Sequence, residues 1–343
     1  WHMQRKYKIA RKVNETPNTI SVFLTSDEAL GRFQAGQHLA FDIPGVGQRP
    51  YVLSAFSSDP KIYRITVIHT DVKDAARAAS YWTDQAEKGG LIHATGPQGS
   101  FHLTAELDRP VVIFSKDIGE AAVTAMAEEL AVRASRHHVV FLHSTFNSST
   151  FALKGKLGSL KADLPNSVWK VWFSNPRQVD RPGKEYDLGG EMHLDQGAEF
   201  LPSEEFDAYI CGPREFVAAT EAALRKSRVA CRSIYKQEMG ATLAPPAEIA
   251  EEKELPPLHP QSVTFTTSGI EATWTPEQGT LLEFAESLGI KAPFNCRTGM
   301  CGMCARKVVL GELMKIRVTS AKTREHCQLM CSNIPMSKVE IEL

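Results

Sequence analysis

The chain has 343 residues, enough at about 100 to 200 residues per domain for two or three folding units. Hydrophobic residues make up 43% and charged residues 23%, which excludes disorder, collagen-like repeats and highly charged tails as the main architecture. With 39 Lys and Arg against 40 Asp and Glu, no global field draws the chain to nucleic acid or to an anionic membrane, and neither is expected as a partner. No apolar run reaches the roughly 18 to 20 residues of a spanning helix. The basic N-terminus, Trp1 to Lys6, leads into a polar segment rather than a signal-peptide core, so a start at Met3 and a cytoplasmic location are expected.

From Lys8 to about Leu107, short runs alternate apolar and polar residues, as in Ile20-Ser21-Val22-Phe23-Leu24 and Tyr63-Arg64-Ile65-Thr66-Val67-Ile68. Gly and Pro clusters separate these runs, the pattern of an antiparallel barrel occupying residues 1–107. Over 108–240 the pattern changes. A strand Val111 to Phe114 precedes a helical period from Ala121 to Ala134, then come a strand Val139 to His143, a strand Ala208 to Ile210 and a helix Glu215 to Lys226. Strands alternating with helices predict a Rossmann-like α/β domain around a parallel sheet. Residues 241–260 hold several prolines and the acids Glu248, Glu251, Glu252 and Glu254, too little apolar surface to fold alone, and are predicted to be a linker. The remainder, 261–343, reads as a hairpin (Ser262 to Thr275), a short helix (Leu281 to Leu288) and a final strand (Val339 to Leu343), a unit small enough to profit from a metal staple.

The seven cysteines are Cys211, Cys231, Cys296, Cys301, Cys304, Cys327 and Cys331; an odd count gathered near the C-terminus suits a metal site better than a disulfide framework. Cys296, Cys301 and Cys304 have the C-x4-C-x2-C spacing that, with a distant fourth cysteine, holds a plant-type [2Fe-2S] cluster. Gly299 and Gly302 allow the backbone to curl with positive φ and turn its N–H groups to the sulfurs. Cys331 is the choice for the fourth ligand and Cys327 the runner-up; their proximity does not decide between them. A four-cysteine zinc site is the plainer alternative, but zinc ribbons pair two C-x2-C knuckles and only Cys301 and Cys304 form one here. His326, the one histidine near the cluster, reads as an exposed loop residue, and Cys231 as a small buried hydrophobe.

With these residues in view, the chain resembles the phthalate dioxygenase reductase family of the ferredoxin-NADP reductase superfamily, whose order is flavin barrel, nicotinamide domain, β-grasp ferredoxin. Arg49-Pro50-Tyr51-Val52-Leu53-Ser54 is similar to the family's flavin motif Arg-x-Tyr-Ser. The match implies that Arg49 pairs with the flavin phosphate and Tyr51 packs on the isoalloxazine ring, with Pro50, Val52 and Ser54 in the same cofactor-binding strand. Gly96-Pro97-Gln98-Gly99-Ser100-Phe101 follows as the family's Gly-Pro-x-Gly-x-Phe does. Arg77-Ala78-Ala79-Ser80-Tyr81 resembles the segment that supplies phosphate contacts, with Ser80 either a phosphate donor or an ordinary helix cap. The short stretch Asp71 to Ser80 favours FMN over FAD. Cys211-Gly212-Pro213-Arg214-Glu215-Phe216 matches Cys-Gly-Pro-x-x-Phe, which implies that Cys211 lies near the nicotinamide ring beside Gly212 and Pro213.

The departures gather at one end. The family's glycine-rich nucleotide loop is here Lys116-Asp117-Ile118-Gly119-Glu120-Ala121-Ala122, so Gly119 alone remains of its glycines, and Asp117 and Glu120 oppose an anion unless Lys116 compensates. Val52 replaces a serine, and Gln237-Glu238-Met239-Gly240 replaces Glu-x-Phe-Gly. After the second strand, His143 to Asn147 offers neither an acid for a ribose 2′-hydroxyl nor an arginine for a 2′-phosphate, leaving NADH and NADPH undistinguished. The resemblance implies an NAD(P)H-dependent flavin iron-sulfur oxidoreductase, the reductase component of a Rieske-type multicomponent oxygenase, which docks transiently on that terminal oxygenase. Arg297 and Met300 are candidate docking contacts or simple loop residues. The alternative within the same fold is an electron carrier with altered or lost nicotinamide use, fed by another reductant; a zinc-bearing interaction module is the rival from another class.

Overall fold

The computed structural model describes residues 4–343 apart from 70–72, 135, 240–255, 295, 296, 298, 300, 318 and 320. Asp71, Gly240, Cys296, Met300 and most of the 241–260 stretch thus lie outside the described residues. The chain forms two compact units. One contains Trp1–Asn175 and Tyr186–Ala250, the other Pro176–Glu185 and Glu251–Leu343.

The first unit begins with six antiparallel strands, β1 (Arg5–Thr16), β2 (Thr19–Thr25), β3 (His38–Ile43), β4 (Gly47–Val52), β5 (Tyr63–Ile68) and β6 (Leu91–Gln98), in the order β4-β3-β6-β1-β2-β5. An antiparallel bridge between Leu53 and Ile65 joins the two outer strands and closes the sheet, which removes the open edges that would otherwise invite pairing with another chain. Side chains alternate across a strand, so Tyr63, Ile65 and Val67 of β5 turn into one core with Val22, Leu24, Phe41 and Trp82. Between β5 and β6 lie α1 (Lys73–Ser80) and a single π-helical turn, Tyr81–Gln85, a wide turn that seats Trp82 fully inside the barrel.

The α/β part follows with β7 (Val111–Lys116), α2 (Glu120–Ala134), β8 (Val139–Thr145), α3 (Lys154–Asp163), β9 (Ser167–Phe173), β10 (Leu188–Gly189), α4 (Leu194–Gly197), β11 (Phe206–Gly212), α5 (Arg214–Lys226) and β12 (Cys231–Glu238). All its strand pairs are parallel, in the order β10-β9-β8-β7-β11-β12. Every residue of β8 and β11 is buried. Strands covered on both faces must be apolar throughout, and the runs Val139 to Leu142 and Val111 to Phe114 meet that demand. Strand order reverses between β7 and β11, so the loops leaving these two strands open the crevice where ligands bind in such sheets.

Barrel and α/β sheet share one core: Ala35, Val52, Phe101 and Leu103 pack in the same apolar cluster as Val123, Met126, Leu130 and Tyr209. Helix α2 adds two carboxylates. Glu129 Oε2 accepts the N–H of Ala35 at 2.7 Å, and Glu128 Oε2 that of Phe56 at 2.6 Å. Arg133 holds the other oxygen of Glu129 and donates to the carbonyls of Thr104 and Ala105. Glu129 is 2% exposed, so its charge is tolerated only because both oxygens are bonded.

The second unit contains β13 (Gln261–Phe265), β14 (Ile270–Trp274), α5's successor α6 (Leu281–Ser287), β15 (Ala305–Leu310), β16 (Leu313–Lys315), β17 (Cys327–Leu329), β18 (Asn333–Pro335) and β19 (Val339–Ile341). A mixed sheet β14-β13-β19-β15-β17 and a small pair β16-β18 wrap around α6, whose Phe284 and Leu282 meet Phe265 and Trp274 in the core. Thr280 and Glu283 form a reciprocal capping box that starts the helix, satisfying two of its orphan N–H groups. The predicted fold class, a flavin-type barrel, a Rossmann-like α/β domain and a β-grasp ferredoxin domain, is borne out. The excursion Pro176–Glu185, which in sequence falls between β9 and β10, packs in this unit and was not foreseen; nothing in its local pattern signals it. Cys231 is only half-buried, at the start of outer strand β12, and so is not the core hydrophobe expected of it.

Replacing Glu129 with alanine strands the Ala35 N–H and the Arg133 guanidinium. The variant is expected to lose about 2–3 kcal/mol from the unfolding of the first unit, measured by urea denaturation; a midpoint equal to that of the parent would show that these bonds contribute nothing.

Candidate functional site

At the barrel, the structure gathers Arg49, Tyr51 and the α1 segment. Arg49 lies on β4 opposite Phe41 and donates to the Gln48 carbonyl at 2.9 Å, while Arg77 donates to the Gly45 carbonyl at 2.7 Å. Two guanidiniums therefore lie against the hairpin joining β3 and β4, each of a kind that pairs with an anionic phosphate. Pro50 is exposed between Arg49 and the half-buried Tyr51. The ring of Tyr51 meets Trp82 edge-on at 5.6 Å and Phe41 at 6.0 Å, and burial pushes its hydroxyl up to about 12. A tyrosine held this way stays neutral and presents a flat, fixed ring.

Ser80 ends α1 with helical backbone angles, and its side chain makes no cap bond to the following turn; the plain helix-cap role is not what the structure gives it. Ser54 is fully buried. Its Oγ accepts from Thr66 at 2.9 Å and from Arg64 Nε at 3.0 Å, so its hydroxyl orders the barrel interior and anchors Arg64, which also donates to the Ser54 carbonyl. Arg64 was not singled out by sequence reasoning; an arginine between two core residues of a strand was the available signal. Val52 packs in the shared apolar cluster.

At the crevice between β7 and β11, Cys211 is fully buried with its sulfur 3.5 Å from the Gly119 carbonyl oxygen, and burial pushes its thiol up, away from the reactive thiolate. Gly119 is required there, because a Cβ would come within 2.5 Å of the Cys211 carbonyl oxygen. Gly212 and Pro213 lead from β11 into α5 beside Lys116. The three cofactor-site candidates Gly119, Cys211 and Gly212 are thus brought together.

The same crevice carries acids. Lys116 is paired with Glu191 at 2.5 Å. Asp117 adopts φ 48°, the left-handed region that glycine ordinarily fills, and burial pushes its carboxyl up to about 6. Glu120, 1% exposed, accepts the N–H groups of Ala152 and Leu153 at 3.1 and 3.2 Å, yet burial still pushes it from the ordinary 4.5 to about 8. His143 bonds Ser115 at 2.8 Å and stacks on Phe151; burial lowers it to about 3, so it supplies no cation.

In the second unit the sulfurs of Cys304 and Cys331 lie 3.2 Å apart. Both residues are buried and Cys301 is exposed, close enough to Cys304 to interact electrostatically with it. The contact with Cys304 holds the Cys331 thiol down, to about 6, helped by the Ser332 hydroxyl and the Arg317 charge, while Cys304 is pushed up by the same contact. Gly299 has φ 78°, and a Cβ there would press on Thr319 and Ser332 at 2.7 and 2.8 Å; the chain at Gly299 fits against these two residues only because that position is bare. A pair of converging sulfurs under a curled loop fits the donor set of a [2Fe-2S] cluster. Among the described residues, no group of three His, Cys, Asp or Glu side chains is closed enough to hold a single ion. Cys327 lies elsewhere, on β17 opposite Lys307, and His326 is exposed beside it.

Residues 263–335 match the model of the 2Fe-2S iron-sulfur cluster binding domain family. A flavohemoprotein of Deinococcus radiodurans is 29% identical over 246 residues, 70% of this chain and 60% of that protein; the chain therefore spans about three fifths of that relative. The flavohem-like FAD/NAD binding domain of nitric oxide dioxygenase from Vibrio cholerae has a TM-score of 0.60 at 26% identity, covering 69% of this chain and 98% of that one. Phthalate dioxygenase reductase, a modular structure for electron transfer from pyridine nucleotides to [2Fe-2S], has a TM-score of 0.55 at 19% identity and covers 99% of this chain and 98% of its own. The class is thereby defined at the level of the fold: the part ahead of residue 240 has the fold of a flavohem-like FAD/NAD binding domain, and residues 263–335 match a 2Fe-2S iron-sulfur cluster binding domain. More narrowly, the likeness to phthalate dioxygenase reductase extends over nearly the whole of both chains, and the resemblance carried by the motifs holds at the level of the fold. No helix among the described residues is long and apolar enough to cross a membrane.

Cys331→Ser is expected to lose most of its iron and acid-labile sulfide while Cys327→Ser keeps both, as measured on anaerobically reconstituted protein. Equal retention by the two variants would remove Cys331 from the ligand set. A second expectation follows from Glu120, whose folded-state pKa is raised. Its neutral form is favoured by folding below about 4.5, and that contribution is lost as pH rises through about 8. Glu120→Gln should therefore lose less stability than the parent between pH 5 and pH 8 in urea titrations; parallel pH profiles would refute the assignment.

Proposed function

We propose that the protein is an NAD(P)H-dependent flavin iron-sulfur oxidoreductase, the reductase component of a multicomponent oxygenase. Electrons would pass from a nicotinamide dinucleotide through the flavin to a [2Fe-2S] cluster, and on to a terminal oxygenase of the Rieske type. The observation that carries this is the meeting of the Cys304 and Cys331 sulfurs inside a 2Fe-2S domain, on the same chain as a closed barrel joined to a parallel sheet of the reductase fold.

When bound, a flavin converts the two-electron hydride of a nicotinamide into single electrons that a cluster can take one at a time. The residues of the chain supply placement. Arg49 and Arg77 offset the phosphate charge, and Tyr51, braced by Trp82, covers the ring. Cys211 stays an uncharged thiol, so it adds no negative charge of its own to the acids already in the crevice. Cys296, Cys301, Cys304 and Cys331 would hold the irons as thiolates. FMN is proposed as the flavin on the brevity of the 71–80 segment; the Vibrio cholerae relative is described as binding FAD, and mass spectrometry of the extracted cofactor distinguishes the two.

A specific observation favours a second proposal, that nicotinamide use is altered. The lysine beside the nucleotide loop is already paired with Glu191, the loop places Asp117 where a glycine is usual, and α2 begins on the buried Glu120. Each change weakens a pyrophosphate site at a helix N-terminus. Anaerobic stopped-flow mixing with NADH and with NADPH tests both proposals. Rapid bleaching of the flavin band by either dinucleotide supports the first, whereas bleaching by dithionite alone supports a chain fed by another reductant.

A further inference from the structure

Within the second unit, one arginine touches both stretches of chain that carry the cluster cysteines. Arg317 Nη1 donates to the carbonyl of Arg297 at 2.8 Å and to that of Cys331 at 3.3 Å. Arg297 follows Cys296 directly, and Cys331 carries the sulfur that meets Cys304. A single guanidinium thus bridges the cysteine loop and the segment of the fourth ligand, with a fixed positive charge at the carbonyl of a ligand residue.

The guanidinium is itself balanced by an acid from the excursion between β9 and β10. Glu185 Oε1 lies 3.9 Å from Arg317 Nη2, and the glutamate is 8% exposed. Its carboxylate is fixed in place by Arg181, whose Nη2 and Nε donate at 2.8 and 3.1 Å and whose backbone N–H donates at 2.9 Å. Arg181 also holds Glu283 at the start of α6 with bonds of 3.0 and 3.2 Å. One residue before Arg317, the Ile316 carbonyl accepts from Arg177 of the same excursion at 3.3 Å. The Glu185 carboxylate is largely shielded from water, whereas the Arg317 side chain is 32% exposed, so the arginine acts on the cluster segment chiefly through its two fixed bonds to backbone carbonyls rather than through an unscreened charge.

We propose that Arg317 is a positioning residue that sets the reduction potential of the cluster, and that Glu185 opposes it. The proposal rests on the cluster reading above. A four-thiolate cluster gains one negative charge when it takes an electron, so a fixed cation bonded to the carbonyl of a ligand residue favours the reduced form, and a fixed anion behind it favours the oxidised one. Cluster potentials respond to such charges and hydrogen bonds. The excursion thus contributes an electrostatic part to a site whose sulfurs all come from more than a hundred residues further along the chain.

The test is an EPR-monitored redox titration of the full-length, reconstituted protein. Arg317→Gln is expected to shift the cluster equilibrium about tenfold toward the oxidised form, about 59 mV for a one-electron couple. Arg317→Lys should recover part of that shift, because it keeps the charge but not the forked bonding, and Glu185→Gln should shift the equilibrium in the opposite direction. Parent-like potentials in Arg317→Gln with full iron and sulfide content would overturn the proposal. Should Arg317→Gln fail to take up the cluster, Glu185→Gln decides: a move toward the reduced form supports the proposal, and an unmoved potential overturns it. Failure of the underlying cluster reading looks different, since the parent protein itself would then contain no acid-labile sulfide.

Discussion

Helix α2 reaches out of its own layer with two neighbouring carboxylates, and the arrangement of the first unit depends on what they bind. Glu128 and Glu129 accept backbone N–H groups from Phe56 and Ala35 of the barrel, groups that sheet pairing would otherwise have to satisfy. A buried charge that loses its partners costs several kcal/mol, so the barrel is held against α2 in one register. The apolar cluster running from Val52 and Phe101 to Met126 and Cys211 fills in behind these bonds. With them, the proposed flavin strand and the crevice of the parallel sheet belong to one compact unit.

Much of the fold was legible because burial demands a simple pattern. Strands β5, β7 and β8 were read within a residue or two from alternation or from unbroken apolar runs, and α2 and α5 from their helical period. Strand β9 escaped notice because Lys170 sits in its middle with its charge turned to Asp187. Helix α3 escaped because it carries two glycines and buries only Leu157 and Leu160. Site residues followed the same rule. Cysteine spacing pointed to the sulfur cluster, since a metal constrains sequence directly. The roles of Arg64, Trp82 and Arg317 depend on which distant backbone they meet, and no local period encodes that.

The two ends of the proposed electron path differ in character. On the barrel side, cations and aromatic rings remain available: among the described residues Arg49 and Arg77 bond only nearby carbonyls, and Tyr51 is braced but half-exposed. On the dinucleotide side, the chain has used its polar groups internally. Lys116 binds Glu191, Glu120 takes the N–H groups ahead of α3, and the imidazole of His143 is neutral. Among the described residues, an incoming anion would meet a crevice whose charged side chains are largely engaged, the basis of the proposal that nicotinamide use is altered.

The ten residues from Pro176 to Glu185 have a practical meaning for anyone who would cut and paste this protein. Val179 lies against the apolar core of the second unit, and Arg181 braces the first turn of its helix. A gene fragment beginning after the proline-rich stretch would omit that piece, leaving Glu283 without its arginine and a patch of the core uncovered. Recombining the electron-carrying portion with a foreign reductase therefore calls for grafting two separate stretches of sequence, and exchange at a single seam should yield poorly folded hybrids.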